Sequence, residues 1–188
     1  MYPPTSFPQP SQHTFVAYVE DQPGVLNRIS SLFRRRNFNI ISLNVGRAHV
    51  PGVSRMTFVV EADEGRARRI EANLYKLVNV LSVEDITNKP NVVRDLALVK
   101  VKAPPDRRGE IFQLCQVFRA RPVDVGPDTL VVEITGTQDK IQGLVTVLEP
   151  FGILELVQSG TVAMTRGPIG DAARPLRDPQ VVRGIAAA

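Results

Sequence analysis

From His13 to Asp21 apolar and polar residues alternate, with Phe15, Ala17 and Val19 on one face and Val16 and Tyr18 on the other. Period two predicts a β-strand. From Gly24 to Asn37 the period changes: Val25, Ile29 and Leu32, flanked by Leu26 and Phe33, draw the stripe of an amphipathic helix. Alternation returns over Ile40–Gly46, which places Ile41, Leu43 and Val45 on one face. The turn signal His49-Val50-Pro51-Gly52-Val53 then leads into a strand through Met56, Phe58 and Val60. A second helical stripe runs through Ala67, Ile70, Leu74, Leu77 and Val78, and Leu81–Thr87 reads as a closing strand. The order βαββαβ predicts a ferredoxin-like unit, an antiparallel sheet with both helices on one face.

The second half repeats that order. Leu96–Lys102 reads as a strand, Arg107–Arg119 as a helix through Ile111, Leu114, Cys115 and Phe118, and Pro122–Val125 as a short strand. A strand over Thr129–Thr135, a helix over Thr137–Glu149 and a strand over Ile153–Val157 follow, with Thr161–Met164 a candidate for one more. The expected fold class is therefore α+β, two tandem βαββαβ domains. We expect a disordered lead over residues 1–12, which carry four prolines, a first domain over 13–88 and a linker over 89–94. A second domain over 95–166 and a mobile tail over 167–188, rich in Gly, Pro and Arg, complete the expected organisation.

Composition narrows the class of function. At 188 residues, 43% apolar and 22% charged, the chain has the make-up of a soluble globular protein with room for two small domains. No apolar run approaches the roughly 20 residues of a membrane span, and the start of the chain has no basic segment followed by an apolar one, so neither membrane nor secretory signal is expected. A single cysteine, Cys115, forms no internal disulfide, which fits a reducing cytoplasmic setting. The net charge of +4 raises nucleic acid as a partner. Its cations are scattered, however. In the one run, Arg34-Arg35-Arg36, consecutive helical residues fan out by about 100°, a spacing that suits a solvated helix C-terminus better than a flat phosphate-binding patch.

Catalytic chemistry is hard to assemble from these residues. His13 sits at a strand start and His49 in a turn, and with one cysteine they match no zinc-site spacing. Cys115 falls on the apolar stripe of its helix, the place of a core thiol rather than a nucleophile. There is no phosphate loop and no Gly-x-Gly-x-x-Gly, and the acidic run Glu61-Ala62-Asp63-Glu64 lies where a helix needs a cap. RNA-binding RRM domains share the βαββαβ order but stack bases on strand aromatics. The third strand, Arg55-Met56-Thr57-Phe58-Val59-Val60, lacks their signature, and only 6% of the chain is aromatic.

What remains is the turn Asp21-Gln22-Pro23-Gly24, a strand end opening straight into a helix. Amides near Gly24, Val25 and Leu26 could hold a carboxylate at the helix N-terminus. Asp21 or the side-chain oxygen of Asn39 could accept from an ammonium group, and apolar neighbours could take an aliphatic side chain. The site then fits a small amino acid. A Pro-Gly turn also starts helices that bind nothing, and Asn39 also reads as a plain turn residue. The second half carries Ala103-Pro104-Pro105-Asp106-Arg107-Arg108 at the equivalent place, without glycine, so a backbone-cradled ligand is expected in the first half only.

These residues resemble a family, the ACT-domain small (regulatory) subunits of acetolactate synthase. The resemblance rests on dispersed signatures in the same order. They are Glu20-Asp21-Gln22-Pro23-Gly24-Val25-Leu26-Asn27-Arg28, Arg36-Asn37-Phe38-Asn39-Ile40-Ile41-Ser42-Leu43, Ser54-Arg55-Met56-Thr57 and Lys76-Leu77-Val78-Asn79-Val80. Arg94-Asp95-Leu96-Ala97-Leu98-Val99-Lys100-Val101 and Pro150-Phe151-Gly152-Ile153 continue the match to about residue 167. The resemblance implies a chain without an active site or cofactor of its own. Its partner would be a catalytic large subunit that carries thiamine diphosphate, magnesium and FAD and condenses two pyruvates, or pyruvate with 2-oxobutyrate. It also implies activation of that subunit, feedback inhibition by valine, and a homodimer whose ACT domains pair edge to edge with valine between them. Carried over by motif, the contacts are Asp21, Gly24, Val25 and Leu26 from one chain and Asn39 and Ile40 from the other, with Asn44 and Gly46 nearby. Asp21 departs from the asparagine often found there. The alternatives are a stand-alone amino-acid-sensing ACT protein with a different partner and a ferredoxin-like nucleic-acid binder.

Overall fold

A computed structural model describes residues 11–167. The expected tail, apart from Gly167, and residues 1–10 of the expected lead lie outside them. The described chain divides into two compact units, one of residues 11–92 with 163–167, the other of Val93–Val162. The second unit is thus inserted into the first.

In the first unit, β1 (Ser11–Glu20), β2 (Ile40–Arg47), β3 (Val53–Ala62) and β4 (Val80–Asp85) form an antiparallel sheet in the order β2-β3-β1-β4. The helices α1 (Val25–Arg35) and α2 (Glu64–Leu74) complete the βαββαβ order. Period two and helical spacing meet in one core: Phe15, Ala17 and Val19 of β1 and Met56, Phe58 and Val60 of β3 pack with Ile29, Leu32 and Phe33 of α1 and Ala67, Ile70 and Leu74 of α2. Phe58 is its hinge point, stacked on Phe15 at 5.3 Å between ring centres and met edge-on by Phe33, also at 5.3 Å. Both geometries suit the ring quadrupole. Asp63 caps α2 by accepting from the Arg66 amide at 2.8 Å, the role expected of the acidic run.

Four local expectations need correction. Ser11 and Gln12, read as the end of the lead, belong to β1. The helical stripe continues on paper to Val78, yet α2 ends at Leu74. There the Tyr75 hydroxyl donates to the Val83 carbonyl at 3.0 Å and accepts from the Val83 amide at 3.2 Å, while Leu77 packs on the core from the turn beyond. In β2 the register slips between Ile40 and Ser42, so Ile41 is an inserted residue. A bulge reverses the alternation: Ile40 and Leu43 pack on the core, and Ile41 points outward. Finally, β5 (Asn91–Lys102) begins inside the stretch read as a linker.

In the second unit β5, β6 (Arg121–Val125), β7 (Thr129–Gly136) and β8 (Ile153–Gln158) repeat the topology in the order β6-β7-β5-β8, with α3 (Arg108–Phe118) and α4 (Gln138–Leu148). Its core joins Ala97, Val99 and Val101, Leu130, Val132 and Ile134, and Ile111, Cys115, Ile141, Leu144 and Leu148. A last strand, β9 (Val162–Thr165), pairs with β5. Both strands that carry the chain across the boundary between units are therefore bonded to each other: the Arg166 amide donates to the Pro90 carbonyl at 2.7 Å and its Nε to the Asn91 carbonyl at 2.8 Å.

Candidate functional site

Gly24 is the N-cap of α1 with φ +84°, a left-handed conformation that side chains disfavour, and an added Cβ would meet nothing within 4 Å. The turn therefore needs glycine for its backbone, and the space before the helix is open. No side chain caps this helix and its first turn holds no acidic residue. Helix geometry leaves the amides of Leu26 and Asn27 without an intrahelical acceptor. The Val25 amide reaches only the Gln22 carbonyl, at 3.4 Å. Positive dipole potential and donors thus converge on an accessible point, which is what a carboxylate needs.

The corresponding entrance in the second unit is closed by a side chain. Arg108 donates from Nε to the Ala103 carbonyl at 2.9 Å and from Nη2 to the carbonyls of Gly126, at 2.6 Å, and Pro127.

The Asp21–Gly24 turn is held rigidly from behind. The Asp21 amide donates to the Gly52 carbonyl at 2.8 Å, and Asp21 Oδ1 accepts from the Ser54 hydroxyl at 3.0 Å. One residue earlier, the buried Glu20 carboxylate accepts from Asn79 Nδ2 at 2.6 Å, and Asn79 Oδ1 accepts from Arg28 Nη1 at 2.9 Å. This relay ties the start of α1 to the loop before β4. Sequence reasoning gave Ser54, Asn79 and Arg28 no role, although each lies in a segment quoted above for its resemblance.

The expected contacts separate into three kinds. Asp21 and Gly24 are exposed at the turn, and Leu26 projects beside them, 45% exposed. The Val25 side chain is buried in the core, while that of Ile40 is half-buried against it. Asn39 is exposed just before β2, at the far end of α1 from Gly24. Eleven helical residues span about 16 Å, too far for one small zwitterion. One chain does not bring the two halves of the expected site together.

Between them runs β2, the edge strand of this sheet among the described residues. It carries Ile41 at 43% and Val45 at 46% exposure. An edge strand with apolar side chains is a template for another strand.

Elsewhere the structure offers little chemistry. His13 is buried, with Nδ1 2.8 Å from Asp85 Oδ2, in a cleft lined also by Arg68, Glu71 and Lys89 that shares no residue with the turn. Cys115 is buried in the second core, and burial pushes its thiol above the ordinary value of 9.0. Among the described residues no group of three or more His, Cys, Asp or Glu is placed to hold a metal ion. Nor is any helix there long and apolar enough to cross a membrane.

Comparison with known proteins assigns both units. Residues 15–82 match the family model of the AHAS small subunit-like ACT domain, and residues 94–167 that of the small subunit of acetolactate synthase. The acetolactate synthase small subunit of Mycolicibacterium smegmatis is 47% identical over 158 residues, 84% of this chain and 93% of that one. That of Mycobacterium leprae is 46% identical over 84% of this chain and 94% of its own. The crystal structure of the acetolactate synthase small subunit from Thermotoga maritima superposes with a TM-score of 0.78 at 35% identity, covering 85% of this chain and 99% of the other.

Proposed function

The chain belongs to the acetolactate synthase small-subunit family, and from that premise we propose that it is a non-catalytic regulatory subunit that senses valine for a catalytic large subunit. Small-subunit membership itself implies a large-subunit partner. The finer reading is activation of that partner in the cytoplasm and feedback inhibition by valine. The large subunit is then the chain that carries thiamine diphosphate, magnesium and FAD.

The observation that carries the valine reading is the separation of Gly24 and Asn39 by the length of α1 along the β2 edge strand. Antiparallel pairing of two β2 strands about Leu43–Asn44 sets Ile40 of one copy opposite Arg47 of the other. The strand start of one copy then lies beside the helix entrance of its mate, and the two half-sites meet twice in a symmetric dimer. Amides after Gly24 would take the valine carboxylate, Asn39 and Asp21 its ammonium, and Leu26 with Ile41 would shield its side chain. Two copies also cover the apolar edge, which a lone chain leaves in water.

Inhibition further requires that the occupied dimer engage the large subunit differently from the empty one, since a ligand shifts an equilibrium only by its differential affinity. The test is to titrate the purified chain with valine in a calorimeter and to add it to a purified catalytic subunit with and without valine. Heat of binding, a higher rate without valine and a lower rate with it are expected. No heat at millimolar valine would remove the amino-acid site.

A further inference from the structure

Arg55 lies on β3, directly opposite Gly46 of the β2 edge strand on one side and Tyr18 of β1 on the other. Its guanidinium is used in three directions. Nη1 donates to Thr57 Oγ1 at 3.1 Å, Nε to the Tyr18 hydroxyl at 3.4 Å, and Nη2 to the Ala163 carbonyl at 2.5 Å, with the cation 5.8 Å from the Tyr18 ring centre. A planar, permanently charged fork can hold such a set of acceptors in one orientation, which a lysine cannot.

Ala163 has a particular place in the chain. It is the first residue of the first unit after the chain returns from the second, and it is buried. It belongs to β9, which pairs with β5, the strand that leads out of the first unit. Arg166 closes the same ladder onto Pro90 and Asn91. One side chain thus joins the strand next to the candidate effector edge to the segment that connects the units.

We propose that Arg55 is a positioning residue that conveys effector occupancy at the β2 edge to the β5/β9 crossing. The inference rests on the valine reading above. When a second strand and a ligand order β2, the backbone of its register partner β3 adjusts with it. The Arg55 fork carries that adjustment to the Ala163 carbonyl, because its three acceptors fix the head relative to the backbone. Arg55 touches neither the turn residues nor Asn39 through any hydrogen bond found among the described residues, so its loss should spare binding and damage transmission.

The test uses the reassembled complex of this chain with its catalytic subunit, comparing wild type with Arg55→Met and Arg55→Lys. The expected result for Arg55→Met is valine affinity within twofold of wild type by calorimetry, activation retained without valine, and maximal inhibition at saturating valine cut by at least half. Arg55→Lys, with charge but no fork, should fall between. Full inhibition in Arg55→Met overturns the inference. Parallel loss of binding and inhibition in both variants also overturns it, since Arg55 would then support the site itself. Amide hydrogen exchange on the wild-type complex needs no variant: valine should change exchange at residues 163–165, and an unchanged rate there counts against the inference. A wild-type chain that gives no heat with valine removes the functional reading first. Normal binding with intact Arg55→Met inhibition removes the Arg55 inference alone.

Discussion

The Ser54 hydroxyl donates to Asp21 Oδ1 at 3.0 Å, so the carboxylate at the turn is oriented by the strand that follows Gly52. One of its oxygens is engaged and the side chain remains exposed, which leaves acceptor capacity for an ammonium group. Asp21→Asn keeps an acceptor for Ser54 and removes the charge. Valine affinity measured by calorimetry should fall about tenfold, roughly 1.4 kcal/mol. Unchanged affinity would show that Asp21 does not face the ammonium.

Gly24 separates backbone strain from ligand exclusion. Gly24→Ala forces a side chain into the left-handed region, at about 1 kcal/mol, but its Cβ enters open space. It should lower thermal stability while leaving part of the valine response. Gly24→Asp adds a negative charge where the ligand carboxylate would sit. Valine inhibition should disappear while activation of the catalytic subunit persists. Intact inhibition in Gly24→Asp would move the site elsewhere.

Val45→Lys places a charge on the β2 edge strand, a substitution that blocks strand addition without touching the turn. Sedimentation should shift from dimer toward monomer, and valine affinity should drop at least tenfold at micromolar protein. A dimer of unchanged stability would exclude β2 as the pairing edge.

Cys115 supplies a check on the second core. Its thiol is buried and its ionisation is pushed upward by desolvation, so a thiol reagent at pH 8 should react far more slowly with the native chain than with the unfolded one. The sign of the linked stability follows. Well below pH 9 the thiol is almost wholly neutral in both states and contributes little pH dependence. As pH rises past the unfolded value the unfolded chain ionises first, and native stability falls. A midpoint of urea unfolding that rose between pH 9 and 10.5 would contradict this.

Much of this fold is legible in the sequence because alternation and helical stripe report burial directly. Phe15, Phe58, Ile29 and Ile70 lie in the core that their spacing assigned them. What escaped depends on partners far along the chain. The Ile41 insertion is invisible in β2 itself, since only pairing with β3 reveals the slipped register. The end of α2 turns on Tyr75 meeting Val83, eight residues later. At the site, the Pro-Gly turn is visible in the sequence, and the structure adds that Gly24 holds a positive φ there. Its distance from Asn39 needed the helix to be built, and the Ser54 and Asn79 supports join residues 33 and 59 positions from their partners.

The insertion of one unit within the other also sets an order of assembly during synthesis. Strands β1 to β4 leave the ribosome first, yet the carbonyl that Arg55 holds arrives only with Ala163, after the whole of Val93–Val162. Domains made in succession ordinarily fold in succession. Here a chain that stalls anywhere inside the second unit has the first sheet and core complete but leaves Arg55 without the Ala163 carbonyl that its guanidinium holds.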